Sequence, residues 1–330
     1  MQQTVQAKDL PEAILNSQRM ETQYVDVGYD LLLPFRAAPQ AGSSSLVVIF
    51  NGAVNRAERE YPSFGPYVRG LGQHAHQVAF ADPTLALSDT ISIAWFAGSH
   101  KLPLQDAIVS LIENLKEKLG ISRLIFVGGS GGGFASLYYS WHFPGSLSVA
   151  FSPQTIIANY GKERLARYSE VAWPEGLRSV SNPPVLDLRS LYGTSVPNQI
   201  VYLQSHGDHR HLFEHMIPFM DAVLPENRER VIAKLSYWGK PGHSGSVPLT
   251  EVDAWVQAAL SAEVFNAETI REEFHESLPQ SDDLRRELPL ERPSNNRPMR
   301  SDNSGRTDQY RLANRLARET LQLKEIGYDR

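Results

Sequence analysis

The chain has 330 residues, 42% hydrophobic, 21% charged and 9% aromatic, which gives enough apolar side chain for a sizeable core and excludes disordered and fibrous classes for the bulk of it. Thirty-two basic residues against 37 acidic ones leave a net charge of −5, so no chain-wide positive field gathers nucleic acid or an anionic membrane. The absence of cysteine excludes disulfides, thiolate nucleophiles and cysteine-held zinc or iron–sulfur sites.

The first 20 residues are polar, and no run approaches the roughly 18 apolar residues that span a bilayer. The chain reads as soluble and cytoplasmic, with no membrane span. Residues 22–36 alternate and then turn wholly apolar, which predicts one or two leading strands punctuated by Gly28 and Pro34. After a turn-rich connector, Leu46 to Phe50 is a β-branched apolar run of the kind buried on both faces of a parallel sheet. Similar runs follow at Gln77 to Ala81, Arg123 to Val127, Ser148 to Phe151, Gln199 to Leu203 and Val231 to Tyr237.

Between these runs, Leu104 to Leu119 carries Ile108, Leu111, Ile112, Leu115 and Leu119 on one helical stripe. Phe134 to Trp141, His211 to Leu224 and Leu249 to Leu260 are weaker versions. The alternation predicts an α/β protein with a mostly parallel sheet flanked by helices, spanning residues 1–262. Residues 154–197 exceed what a crossover needs and predict a cap, a lid or a surface excursion. Residues 263–308 are charged and proline-bearing, the composition of a disordered linker. Residues 309–330 line up Leu312, Leu316 and Leu323 on a thin terminal helix, a candidate contact for a homo-oligomer. Removing residues 270–330 is expected to leave stability nearly unchanged.

Chemistry concentrates where the run Arg123 to Val127 meets Gly128-Gly129-Ser130-Gly131-Gly132-Gly133 and then a helical segment. The spacing Gly128-x-Ser130-x-Gly132 is that of a nucleophile elbow, a strained strand-to-helix turn whose small neighbours let the chain pass and lift the serine hydroxyl above the sheet. Gly131 then offers its N–H at a helix N-terminus to developing negative charge. A phosphate-cradling glycine loop is the competing reading, but the Lys-Ser/Thr pair of a P-loop is missing and the motif follows a late strand. A serine needs a base, and the base an orienting acid. Asp208 follows the run ending at Leu203, and His243 sits in a glycine-bearing loop after the last run, giving the order Ser, Asp, His at strand ends.

With this elbow and order, residues 22–262 resemble the α/β-hydrolase superfamily. The resemblance implies an α/β-hydrolase fold and a serine esterase, peptidase or acyltransferase mechanism, with Ser130 as nucleophile, His243 as general base and acid, and Asp208 as its orienter. It also implies a second oxyanion donor from the loop Phe50-Asn51-Gly52-Ala53-Val54-Asn55, which differs from the lipase HGGG type; Ala53 is the first choice and Val54 the runner-up. Ser152-Pro153-Gln154-Thr155 and the stretch from Asp208-His209 to Pro218 are similar to bacterial glycan-associated members, which resemble carbohydrate O-acyltransferases. The expected function is hydrolysis of an ester or related acyl substrate through an acyl-enzyme, with no cofactor. The alternatives are acyl transfer to a glycan hydroxyl with the same triad, and a non-catalytic interaction protein of this fold.

Three further groups of residues carry expectations. Trp95 and Phe96, at the same sheet edge as Ser130, are candidates to line an acyl or sugar pocket, with core packing as the competing reading. Arg56 and Arg59 follow the oxyanion loop and either receive an anionic substrate or form a solvated face. His206, His209, His211 and His215 crowd around Asp208, but without an HExxH pattern they read as packing near the site, so no metal is assigned.

Overall fold

The computed structural model describes residues 3–18, 21–71, 74–238, 242 and 247–277. In the strand Ser45–Phe50 (β4), Val47 and Ile49 enter one core while Leu46, Val48 and Phe50 enter the other, the period-two alternation of a strand buried on both faces. The remaining strands are β1 (Thr4–Gln6), β2 (Gln23–Asp26), β3 (Leu33–Ala38), β5 (His76–Phe80), β6 (Arg123–Gly129), β7 (Leu147–Phe151), β8 (Gln199–Ser205) and β9 (Val231–Ser236). They form one nine-stranded sheet in the order β1-β2-β3-β5-β4-β6-β7-β8-β9. Strand β3 runs antiparallel to both β2 and β5, and every other pairing is parallel. This is the α/β-hydrolase fold anticipated from the sequence, with the short β1 and the helix α1 (Leu10–Asn16) added before it.

The sheet divides two cores. On one side, Phe50, Phe80 and Phe126 pack with Ile108, Leu111, Ile112 and Leu115 of α2 (Leu104–Lys118) and with the aromatic face of α3 (Gly131–Trp141). On the other, Ile49, Val127, Val149 and Leu203 meet Val252, Trp255 and Val256 of α8 (Leu249–Ser261). Residues 154–197 are built as a β-bridge between Ile156 and Asp187, the helices α4 (Lys162–Ala172) and α5 (Arg189–Tyr192), and two short 3-10 turns. After β8, α6 (His209–His211) passes through a π turn, Leu212–Met216, into α7 (Ile217–Ala222). No helix among the described residues is long and apolar enough to cross a membrane.

The boundary expected at residue 262 is corrected. Ala267–Ser277 form a helix, α9, whose Ala267, Ile270 and Phe274 are buried in the second core, so the charged stretch from 263 onward is not linker throughout. Phe274 stacks on Trp255 at 3.8 Å between ring centroids, with the planes 8° apart. A chain cut at residue 270 loses that stack and is expected to be destabilised, contrary to the expectation from composition. Phe274→Ala alone is expected to cost about 3 kcal/mol, read as a lower urea midpoint at unchanged slope. The residues from 278 on, including the helix expected at 309–330, lie outside the described residues, as does His243.

Candidate active site

At the end of β6 the chain reverses into α3 through Ser130, whose φ of 54° and ψ of −118° lie where non-glycine residues are rarely found. Backbone crowding explains the glycines on either side. A Cβ on Gly128 would sit 2.0 Å from the Gly132 carbonyl oxygen, and one on Gly132 would sit 2.4 Å from the Phe50 carbonyl oxygen. The turn is fixed from three directions. The Ser130 N–H donates to the Phe151 carbonyl at 3.0 Å, and the Ser130 carbonyl accepts from the N–H groups of Gly133 and Gln154, both at 3.1 Å. The serine is therefore raised half-exposed above the sheet on a backbone that has little room to relax.

Gln154 defines which way the Ser130 hydroxyl can act. Its side-chain amide nitrogen donates to Ser130 Oγ at 2.8 Å, while its Oε1 accepts from the Trp95 indole N–H. An indole nitrogen only donates, so the amide cannot be turned round. Ser130 Oγ is thus an acceptor toward Gln154, and its own proton is left to be given elsewhere. Sequence reading missed this role, because the partners Gln154 and Trp95 lie 59 residues apart.

Two N–H groups belong to neighbours of Ser130, one next in the chain and one lining the same cleft. Gly131 opens α3, and its N–H has no hydrogen-bond partner among the described residues. Ala53 is exposed in the loop after β4, and its N–H is likewise unpartnered among the described residues. The runner-up, Val54, is buried and its N–H is bound to the Ser92 carbonyl at 2.8 Å, so it is not free to receive an oxyanion.

Asp208 caps α6 just past β8 and is 2% exposed. Its carboxylate meets His211 Nδ1 at 2.9 Å and also accepts from the His211 backbone N–H at 3.3 Å. The residue before His243 is fixed beside this loop, because the Gly242 N–H donates to the Gly207 carbonyl at 2.8 Å. His215 is fully buried and its Nδ1 accepts from the N–H groups of Thr155 and Ile156 at 3.3 and 3.4 Å. Burial first, and then the neighbouring His211 and Arg210, push the His215 imidazole down to about 3, so it is neutral and holds the segment after β7 in place. Among the described residues no group of three or more His, Asp or Glu is arranged to hold a metal ion.

Trp95 and Phe96 are corrected from pocket lining to core. They are 2% and 1% exposed, both with φ near 55°, which turns their side chains under the site. Phe96 packs edge-on against Phe50 at 4.9 Å, and Trp95 packs against Tyr160 and Tyr168. Asp82 pins this turn by accepting from the Phe96 N–H at 2.6 Å and the Thr84 N–H at 3.0 Å. Complete burial pushes its carboxyl up to about 6, against the pull of those two donors.

Above Ser130 opens a cleft of about 760 Å³ whose walls are the Ala53–Ala57 loop, the Asp89–Ile93 segment and residues of α4 with Tyr160. Arg56 faces it, whereas Arg59 is not among its lining residues. The long 154–197 insertion supplies one wall of this cleft through Tyr160, Glu163, Arg164 and Arg167.

No family model matches the chain, and no curated protein matches it. Among solved structures the chain is similar to a capsule O-acetyltransferase of Neisseria meningitidis serogroup A, at 13% identity and a TM-score of 0.45, over 68% of this chain and 90% of that one. It is similar to an acylaminoacyl peptidase of Pyrococcus horikoshii at 15% identity and a TM-score of 0.48, over 73% of this chain and 41% of that one. A poly(3-hydroxybutyrate) depolymerase from Bordetella parapertussis is similar at 13% identity and a TM-score of 0.46, over 82% of this chain and 98% of that one.

Proposed function

We propose that the chain is a serine-dependent acyl-transfer enzyme acting on an ester or related acyl compound. Ser130 Oγ attacks the carbonyl carbon as His243 takes its proton, and Asp208 holds the imidazole in the productive tautomer. The N–H groups of Gly131 and Ala53 receive the charge on the carbonyl oxygen. The leaving group departs with the proton that His243 returns, and Ser130 is left acylated. Water, or a glycan hydroxyl in the transferase version of the same reaction, then attacks the acyl carbon and frees the serine. The observation that carries this reading is Ser130 at φ 54°, ψ −118° lining the cleft, with the N–H groups of Gly131, which opens α3, and of Ala53, in the loop after β4, unpartnered among the described residues.

A second assignment of the base is favoured by one contact, the 2.9 Å pairing of His211 Nδ1 with Asp208. In that version His211 stands where His243 stands in the first. The Gly242 to Gly207 hydrogen bond supports His243, since it ties the two loops together.

Labelling of the full chain with a fluorophosphonate probe, followed by peptide mapping of the adduct, tests both. The adduct is expected on Ser130, with the labelling rate reduced on the order of a thousandfold in His243→Ala and far less in His211→Ala. A reversed order of the two histidines would move the base to His211. An unlabelled Ser130, with the fold intact, would overturn the nucleophile and with it the enzyme reading.

A further inference from the structure

The cleft above Ser130 is asymmetric in charge in a way that the acyl-transfer reading does not use. Among the described residues, three guanidinium groups line it, those of Arg56, Arg164 and Arg167, against two carboxylates, Asp89 and Glu163. Asp89 is already engaged, since its Oδ1 accepts from Arg56 Nη2 at 3.0 Å while the rest of the Asp89 side chain stands in solvent. Among the described residues, Glu163 is the one other acid that lines the cleft.

Arg56 is held for a purpose its protein contacts do not fulfil. Its side chain is 18% exposed, and its second terminal nitrogen, Nη1, is buried without a hydrogen-bond partner among the described residues. A buried guanidinium nitrogen left unpaired carries a desolvation cost that an anionic oxygen removes with a strong, charge-assisted bond. Arg164 is also fixed in advance: it donates to the Tyr160 hydroxyl and lies over the Tyr160 ring at 5.1 Å from its centroid. Arg210 also lies near the Tyr160 ring, 5.3 Å from its centroid, and is itself tied to Glu214 and to the Asn159 carbonyl. Arg167 lies one turn beyond Arg164 on α4, exposed, and pairs with no acid among the described residues.

We propose that the substrate of this site is an acyl compound carrying an anionic group, a carboxylate or a phosphate, bound by Arg56 and Arg167 and positioned beside Tyr160 and Arg164. The inference rests on the acyl-transfer reading for the identity of the reacting bond. The anion-binding half stands on the arginine geometry alone. Guanidinium groups lining one cleft give both attraction at long range and bidentate pairing at contact.

Equilibrium binding to the full-length Ser130→Ala chain, measured by calorimetry, tests this without needing turnover. The probes are 4-acetoxybenzoate, 4-acetoxyphenyl phosphate and uncharged 4-acetoxybenzamide. At least one anionic probe is expected to bind on the order of tenfold or more tightly than the amide, with the advantage shrinking in high salt. Comparing carboxylate with phosphate identifies which anion the site prefers. Arg56→Gln and Arg167→Gln should each remove most of the advantage, whereas Lys118→Gln, at the far end of α2, should leave it in place. Arg167 is exposed on its helix, so its substitution decides the matter even if Arg56→Gln fails to fold. Equal binding of charged and uncharged probes, or an advantage that survives Arg167→Gln, would overturn the inference. The acyl-transfer reading fails separately, by an unlabelled Ser130 in the wild-type chain.

Discussion

Ester turnover is expected to fall by a factor on the order of 10,000 or more when Ser130 is replaced by alanine, with the fold retained. The loss is large because nothing else in the described cleft offers a nucleophile backed by two unpartnered N–H groups. The fold survives because the substitution removes one oxygen from a half-exposed position and changes no backbone requirement, as alanine meets the same φ of 54° that serine does. The Gln154 amide loses its acceptor, which costs about 1 kcal/mol and is offset where cleft water takes its place. Measurement of kcat/KM on any turned-over ester, together with the urea midpoint, separates the two effects. Activity within tenfold of wild type would show that the chemistry lies elsewhere.

Gly128→Ala is expected to cost more than about 4 kcal/mol of stability, enough to leave much of the chain unfolded. The new Cβ would stand 2.0 Å from the Gly132 carbonyl oxygen and 2.3 Å from its carbon, so backbone must yield to backbone. Yielding is blocked on the far side. Gly132 already lies against the carbonyls of Phe50 and Asn51, so the first turn of α3 cannot move away without lifting off β4. Gly120→Ala is the informative contrast: its φ is +64° but no atom lies within 4 Å of the added Cβ, so only conformational strain of about 1–2 kcal/mol is expected. Urea unfolding of both variants checks the argument, and equal costs would refute the steric account of the elbow.

These two cases also show which parts of the site were legible in the sequence. The elbow was legible because its rule is local: glycine at two offsets from a serine, between an apolar strand and a helix. The strands were legible because each core strand needs only its own few residues to be apolar. Trp95 and Phe96 were misplaced because their left-handed backbone, held by Asp82 from across the turn, leaves no periodic trace that tells an inward ring from an outward one. The cleft wall was hidden for a similar reason, since Tyr160 and Arg164 arrive from an insertion whose path is set by contacts such as Asn159 with the Glu214 carbonyl. Helix α9 was hidden by averaging. Its Ala267, Ile270 and Phe274 fall at i, i+3 and i+7, a buried stripe, but they sit in a stretch whose overall composition is charged.

The borders of the sheet bear on how the protein behaves when crowded. An open sheet offers a row of unpaired amides at each end, and such rows can template the addition of strands from other molecules. Here the row at one end, β1, is three residues long. At the other, β9 carries Lys234 in mid-strand, with its ammonium drawn to Glu251 and lying 4.7 Å from the centroid of the Phe274 ring. A lysine within an edge strand disfavours extension of β9, and a neighbouring molecule seeking to extend β1 would gain few hydrogen bonds. Both ends of the sheet therefore resist fibrillar growth, so that concentrated solutions of the folded protein should stay free of ordered aggregate.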